Sequence, residues 1–170
     1  MQTGRKMRYE LVKLANLSGN EASVYSIWLV DNQTTSYDRF LNENINSFKS
    51  ELSDINNRLY VIGKKTGARE HFFTPGEGNL GDGICALCDS PKKKLRLYCI
   101  RYGTLILIVG GGGEKNVKKL QENKKLKDEN YFLRTISAQI AQRIKNKEIW
   151  YSENKMDFEG NLIFNDDQDD

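Results

Sequence analysis

Apolar residues recur along this chain with different periods, and each change of period predicts an element. Residues 9–14 and 23–30 are two apolar runs separated by the turn-rich segment LSGNEA, which predicts a β-hairpin. In the second run Val24, Ser26, Trp28 and Val30 alternate with Tyr25, Ile27 and Leu29, so both faces carry apolar side chains. Over residues 37–62 the spacing becomes helical. Phe40, Leu41, Ile45, Phe48, Leu52, Ile55, Leu59 and Ile62 recur every three or four positions and make one stripe. Ser36 is the expected N-cap and Gly63 the expected C-cap. Asn44, Asn46 and Ser47 are poor helix formers and leave open a break into two helices. Residues 64–81 show no period and read as a loop or irregular segment carrying Lys64, Lys65, Arg69 and the only histidine, His71.

Residues 82–119 predict the centre of the fold as three consecutive strands. The first runs from Asp82-Gly83 to Cys88, before a Ser90-Pro91 turn; the second spans 95–101, before a Tyr102-Gly103 reversal. The third, 104–109, is a continuous β-branched and leucine run, the pattern of a strand buried on both faces. It runs into Gly110 to Gly113 and then Lys115, Lys118 and Lys119, so flexible backbone and positive charge are expected together at one edge of the sheet. Residues 116–122 predict a short helix. Residues 128–147 predict a longer one, with Leu133, Ile136, Ile140 and Ile144 inward, acids near its start and lysines near its end. Two short strands, 149–151 and 157–164, follow, the second interrupted by Glu159-Gly160-Asn161.

The expected fold is therefore α+β: a mainly antiparallel sheet with a helical hairpin or one long helix on one face and a C-terminal helix packed elsewhere. At 170 residues the chain suits one domain, residues 1–165, with 166–170 as an acidic, disordered tail. No stretch is apolar enough for a membrane span and no signal-peptide pattern opens the chain. Three cysteines, an odd number, fit reduced thiols, so the cytoplasm is the expected location.

A net charge of +3 conceals an asymmetry. Residues 92–147 hold fifteen Lys or Arg against four Asp or Glu, a net of +11, and the remainder carries −8. That central half is a candidate polyanion footprint, with Lys92, Lys93, Lys94, Lys118 and Lys119 as its phosphate contacts. The bland alternative is a set of solvated helix faces.

Few sequence motifs offer chemistry. Cys85 and Cys88, with Cys99 and His71, invite a zinc site, but strand positions three apart point to opposite faces, so buried thiols are the better reading. Gly110 to Lys115 fails the Walker pattern because Glu114 separates the last glycine from the lysine. Backbone amides of the glycine run can still meet a phosphate, with Lys115, Lys118 and Lys119 assisting; the bland alternative is that the glycines allow a bend or the close approach of another element. Arg96 and Arg101 are five apart, which sends them to opposite faces of an unbroken strand.

The order of these elements resembles the RelE/HigB-type toxins, including their phage-encoded relatives. The resemblance rests on residues 37–119: a helical segment, Asp82-Gly83 with Leu87, the strand Leu95-Arg96-Leu97-Tyr98, a Gly turn, the aliphatic run 104–109, and Lys115. Ala86 stands where the family usually has Glu, and Cys88 where it usually has Arg. The N-terminal hairpin and the C-terminal part lie outside the resemblance.

The resemblance implies the toxin of a type II toxin–antitoxin system: a small cytoplasmic mRNA endoribonuclease that needs no metal or other cofactor. It implies an antitoxin protein as partner, mRNA as substrate, often on the ribosome, and no membrane. Arg69, His71, Arg96, Arg101, Tyr102 and Lys115 are the groups available to stabilise charge and move protons as a ribose 2′-hydroxyl attacks the adjacent phosphate. Lys92 to Lys94 bring charge near Cys88 without the bidentate geometry of arginine. The alternative is a non-catalytic protein of the same fold that binds a protein or nucleic acid through its basic half.

Overall fold

A computed structural model describes residues 8–78, 81–87, 94–115 and 120–165. Its order is β1 (Arg8–Lys13), β2 (Ser23–Leu29), β3 (Thr34–Thr35), α1 (Ser36–Val61), β4 (Phe73–Thr74), β5 (Ile84–Leu87), β6 (Leu95–Tyr102), β7 (Ile106–Glu114), α2 (Leu120–Lys145), β8 (Ile149–Tyr151), β9 (Phe158–Gly160) and β10 (Ile163–Asn165). The fold is α+β. The main sheet runs β10-β1-β2-β7-β6-β5-β4, with β3 paired to β2; β8 and β9 form a separate hairpin. Pairing is antiparallel except between β2 and β7, which run parallel.

One helix covers each face of the sheet. Phe40, Leu52, Ile55 and Leu59 of α1 pack with Leu95, Leu97, Cys99, Leu107 and Val109. Leu133, Ile136 and Ile140 of α2 pack with Tyr98, Ile100, Ile106 and Ile108. The period of two along β6 and β7 thus divides one sheet between two cores, and the aliphatic run of β7 is central and buried on both faces.

Several boundaries differ from the sequence expectation. Thr35, not Ser36, caps α1, its hydroxyl accepting from the Asp38 N–H at 3.0 Å. Ser36 is instead buried, with its hydroxyl directed to Val109 O at 3.2 Å. α1 stays one helix, kinked where Phe48 leaves helical geometry (φ −134, ψ 36), one residue beyond the Asn and Ser cluster. Ile45, at the edge of the expected apolar stripe, is 43% exposed. Gly63 does not end the helix. A wider turn, Ile62–Thr66, follows, and the chain reverses at Gly67 (φ +79).

The glycine run is not flexible edge backbone. Gly110 to Gly113 continue β7 and are buried. Leu97 pairs with Gly112 but Cys99 with Val109, so Gly110 and Gly111 together oppose Tyr98, a bulge. Thr104 lies in the preceding turn, and Asp82 and Gly83 precede β5 rather than open it. Cys88 lies outside the described residues. The two helices expected after β7 are one, Leu120–Lys145; residues 116–119 lie outside the description. The segment 157–164 is divided at Gly160 (φ +108) and Asn161, so β9 and β10 belong to different sheets. The tail 166–170 is also outside the described residues.

Candidate nucleic-acid interface

β6 fixes where the expected site residues go. Leu95, Leu97 and Cys99 face α1, whereas Tyr98 and Ile100 face α2. Arg96 therefore sits on the α2 face near the start of the strand, and Arg101 on the α1 face near its end. Five strand residues separate them by roughly 17 Å. They do not share a site.

At the Arg96 end, β6 begins beside the end of β7. The Lys115 N–H donates to Lys94 O at 2.8 Å, and Arg96 pairs with Gly113. Lys94 is exposed; Arg96 and Lys115 are half-buried. The Lys94 N–H donates to Glu51 Oε1 on α1 at 2.5 Å. Arg96 lies beside the Tyr98 hydroxyl: burial raises the Tyr98 pKa, and the neighbouring guanidinium opposes that rise. Lys92, Lys93, Lys118 and Lys119 lie outside the described residues. They belong to the two segments that continue directly from Lys94 and Lys115.

The other end of β6 gathers Arg69, His71, Arg101 and Tyr102. Arg101 Nε donates to Ala68 O at 2.6 Å, which ties β6 to the segment after α1. Arg69 and His71 are exposed; Arg69 Nε donates to Thr66 O at 3.2 Å, and the His71 ring rests on Phe72 with centroids 4.2 Å apart. The Tyr102 hydroxyl is buried, with Ser137 of α2 beside it. Burial drives its pKa upward, so it remains a protonated phenol.

Arg101 also lines an open cleft of about 890 Å³ with Glu70, Phe73, Asp82 and Cys85. The Asp82-Gly83 pair shapes this end by local physics. Asp82 Oδ1 accepts from the Ile84 N–H at 3.0 Å, and Gly83 has φ +75, a conformation that favours glycine. A methyl group added at Gly83 would fall 2.7 Å from Arg101 O.

Cys85 and Cys99 are paired across β5 and β6, buried in the α1-side core, and free. Burial pushes the Cys85 thiol up to about 12 and the Cys99 thiol well above its usual value. Both stay protonated, as small core residues do. Among the described residues no group of three or more His, Cys, Asp or Glu side chains is placed to hold a metal ion.

Sequence reasoning missed a charged cluster between the helices. β2 and β7 pair only as far as Ser26 and Val109, where Ser26 Oγ donates to Val109 O at 2.8 Å. Beyond that point Arg39 of α1 reaches Glu129 of α2 at 2.6 Å, and Lys125 reaches the same Oε1 at 2.7 Å. Glu129 is 4% exposed. Only the spacing of Lys125 and Glu129 was visible in the sequence; Arg39 is 90 residues away.

No helix among the described residues is long and apolar enough to cross a membrane. No family model matches the chain, and no curated protein or solved structure matches it.

Proposed function

We propose that this chain is the toxin-like component of a type II toxin–antitoxin system, a cytoplasmic, metal-independent endoribonuclease that cleaves mRNA and is held in check by an antitoxin protein. The observation that carries the reading is the meeting of Lys94, Arg96 and Lys115 at one end of the central strands, with four further lysines in the adjoining segments. RNA phosphates bind at this end. The ribose 2′-hydroxyl attacks the adjacent phosphorus, the bond to the 5′-oxygen breaks, and a 2′,3′-cyclic phosphate and a 5′-hydroxyl are left. Arg96 and Lys115 stabilise the charge that develops on the phosphate oxygens. The succession α1, then after the short β4 the strands β5 and β6, Tyr102-Gly103, β7 and a basic segment follows the order on which the resemblance to RelE/HigB-type toxins rests, and it supports the same reading.

The alternative, a non-catalytic binding protein of this fold, is favoured by a different observation. Arg69, His71, Arg101 and Tyr102 lie at the far end of β6, and Arg101 is engaged in holding Ala68. Induced expression with growth measurement and mapping of transcript ends separates the two. The toxin reading gives growth arrest with new transcript ends, relieved by a cognate antitoxin. Unchanged growth and unchanged ends, with RNA bound by the purified chain, would establish the alternative.

A further inference from the structure

The outer flank of α2 carries a pattern that its core-facing side does not explain. Lys124, Lys127, Tyr131, Arg134, Ala138, Gln142 and Lys145 follow one another at intervals of three or four and so share one face of the helix. One exposed carboxylate borders this stripe: Asp128, four residues after Lys124 and three before Tyr131, binds Lys124 at 2.9 Å, while Glu129 is turned inward. From Lys124 to Lys145 the stripe covers about 31 Å. At its middle Tyr131 is 51% exposed, with Lys127 Nζ at 5.7 Å and Arg134 Cζ at 5.2 Å from the ring centroid.

The stripe carries four cations, Lys124, Lys127, Arg134 and Lys145, and a large exposed ring, with Lys127 and Arg134 both near that ring. Cations flanking an exposed aromatic ring suit a ligand that alternates phosphates with flat, stackable groups. The position of the stripe joins it to the basic end of the sheet. Side-chain atoms of Lys125 and Leu126 lie 3.4 and 3.7 Å from a Cβ built at Gly113, so the start of α2 stands over the end of β7. On the flank beside the stripe, Asn130 Nδ2 donates to Glu77 O and Ser137 Oγ to Asp82 O, each at 2.8 Å, which directs this side of α2 toward β5 and β6.

We infer that this flank is a track for single-stranded RNA, on which Tyr131 stacks a nucleobase while Lys127 and Arg134 turn to the flanking phosphates. The inference deepens the proposed function and rests on it for the identity of the ligand. It does not need cleavage.

The test therefore uses a short, unstructured 2′-O-methyl oligoribonucleotide, which cannot be cleaved through its 2′-oxygen. Binding is compared with that of inorganic polyphosphate, which has charge but no bases. Tyr131→Ala should weaken oligonucleotide binding about tenfold to a hundredfold, Tyr131→Phe should retain it, and both should bind polyphosphate as the wild type does. Wild-type affinity in Tyr131→Ala, or an equal loss for polyphosphate, overturns the track. If the oligonucleotide is then still released by Lys115→Ala, the basic-end reading survives alone. Failure of the wild type to bind the oligonucleotide overturns both, as does capture of anionic vesicles in its place.

Discussion

Glu129 rests against Gly111 across the interface of α2 and β7: a methyl group added at Gly111 would lie 2.4 Å from Glu129 Oε2. The other carboxylate oxygen holds Arg39 and Lys125, so this contact fixes the cluster where β2 and β7 part. Gly111→Ala should destabilise the fold by about 2 kcal/mol, through overpacking and displacement of the carboxylate. Glu129→Gln keeps the shape but removes the charge. With Arg39 and Lys125 each partly exposed, its cost should also be about 2 kcal/mol, below that of a fully buried pair. Urea midpoints measure both, and a variant as stable as the wild type removes the cluster from the account of stability.

Alkaline stability follows from the buried phenols and thiols. Burial raises Cys85 and Tyr25 each to about 12, and raises Tyr37 and Tyr102 as well. In the unfolded chain these groups release protons near 9.0 for Cys and 10.0 for Tyr. Raised folded values stabilise the protein fully below the unfolded values, and that stabilisation is lost as pH climbs toward the folded ones. The urea midpoint should fall as pH climbs from about 9 to about 12. A midpoint that holds or rises contradicts the burial of these groups.

The first hairpin, the stripe of α1 and the double burial of β7 were legible because each rests on a period within one segment. The opposite faces of Arg96 and Arg101 were legible for the same reason. Pairings between distant segments were not. The parallel contact of β2 with β7 ends in hydroxyl bonds to Val109, and nothing local in Ser26 or Ser36 announces it. Of the two structural readings of the glycine run, flexible edge backbone fails, whereas a bend and the close approach of another element hold. Here the missing side chains admit Leu133 and Glu129 of α2, and a methyl group at Gly112 would strike Arg96 O. α2 was divided because residues 121–125 lack apolar side chains, although Gln, Glu and Lys are good helix formers. Of the site, the basic end was half visible: the lysine runs stand in the sequence, but the meeting of Lys94 and Lys115 needs the pairing of β6 with β7.

Arg101 is expected to act on stability before it acts on RNA. Its Nε anchors Ala68 O, so Arg101→Ala should lower the thermal midpoint, by the equivalent of about 1–2 kcal/mol. A fully stable Arg101→Ala that has lost RNA cleavage would instead move the reacting end to the cleft.

Salt dependence tests the basic end as an electrostatic surface. RNA affinity should fall steeply with ionic strength, and changing Lys115, Lys118 and Lys119 together to Ala should reduce the logarithmic slope by up to about 2. A salt-insensitive affinity, or an unchanged slope in the triple variant, argues against phosphate contacts there.

The central claim, that RNA reacts at the Arg96 and Lys115 end, is tested most directly by cleavage rates of purified variants with a metal chelator present. Thermal stability of each variant is checked first. Arg96→Lys and Lys115→Ala should each slow cleavage roughly a hundredfold while remaining folded, the loss of about 3 kcal/mol of charge stabilisation in the transition state. His71→Ala, at the far end of β6, should cleave as the wild type does. Abolished cleavage in His71→Ala, with full rates in folded Arg96→Lys and Lys115→Ala, would contradict the account.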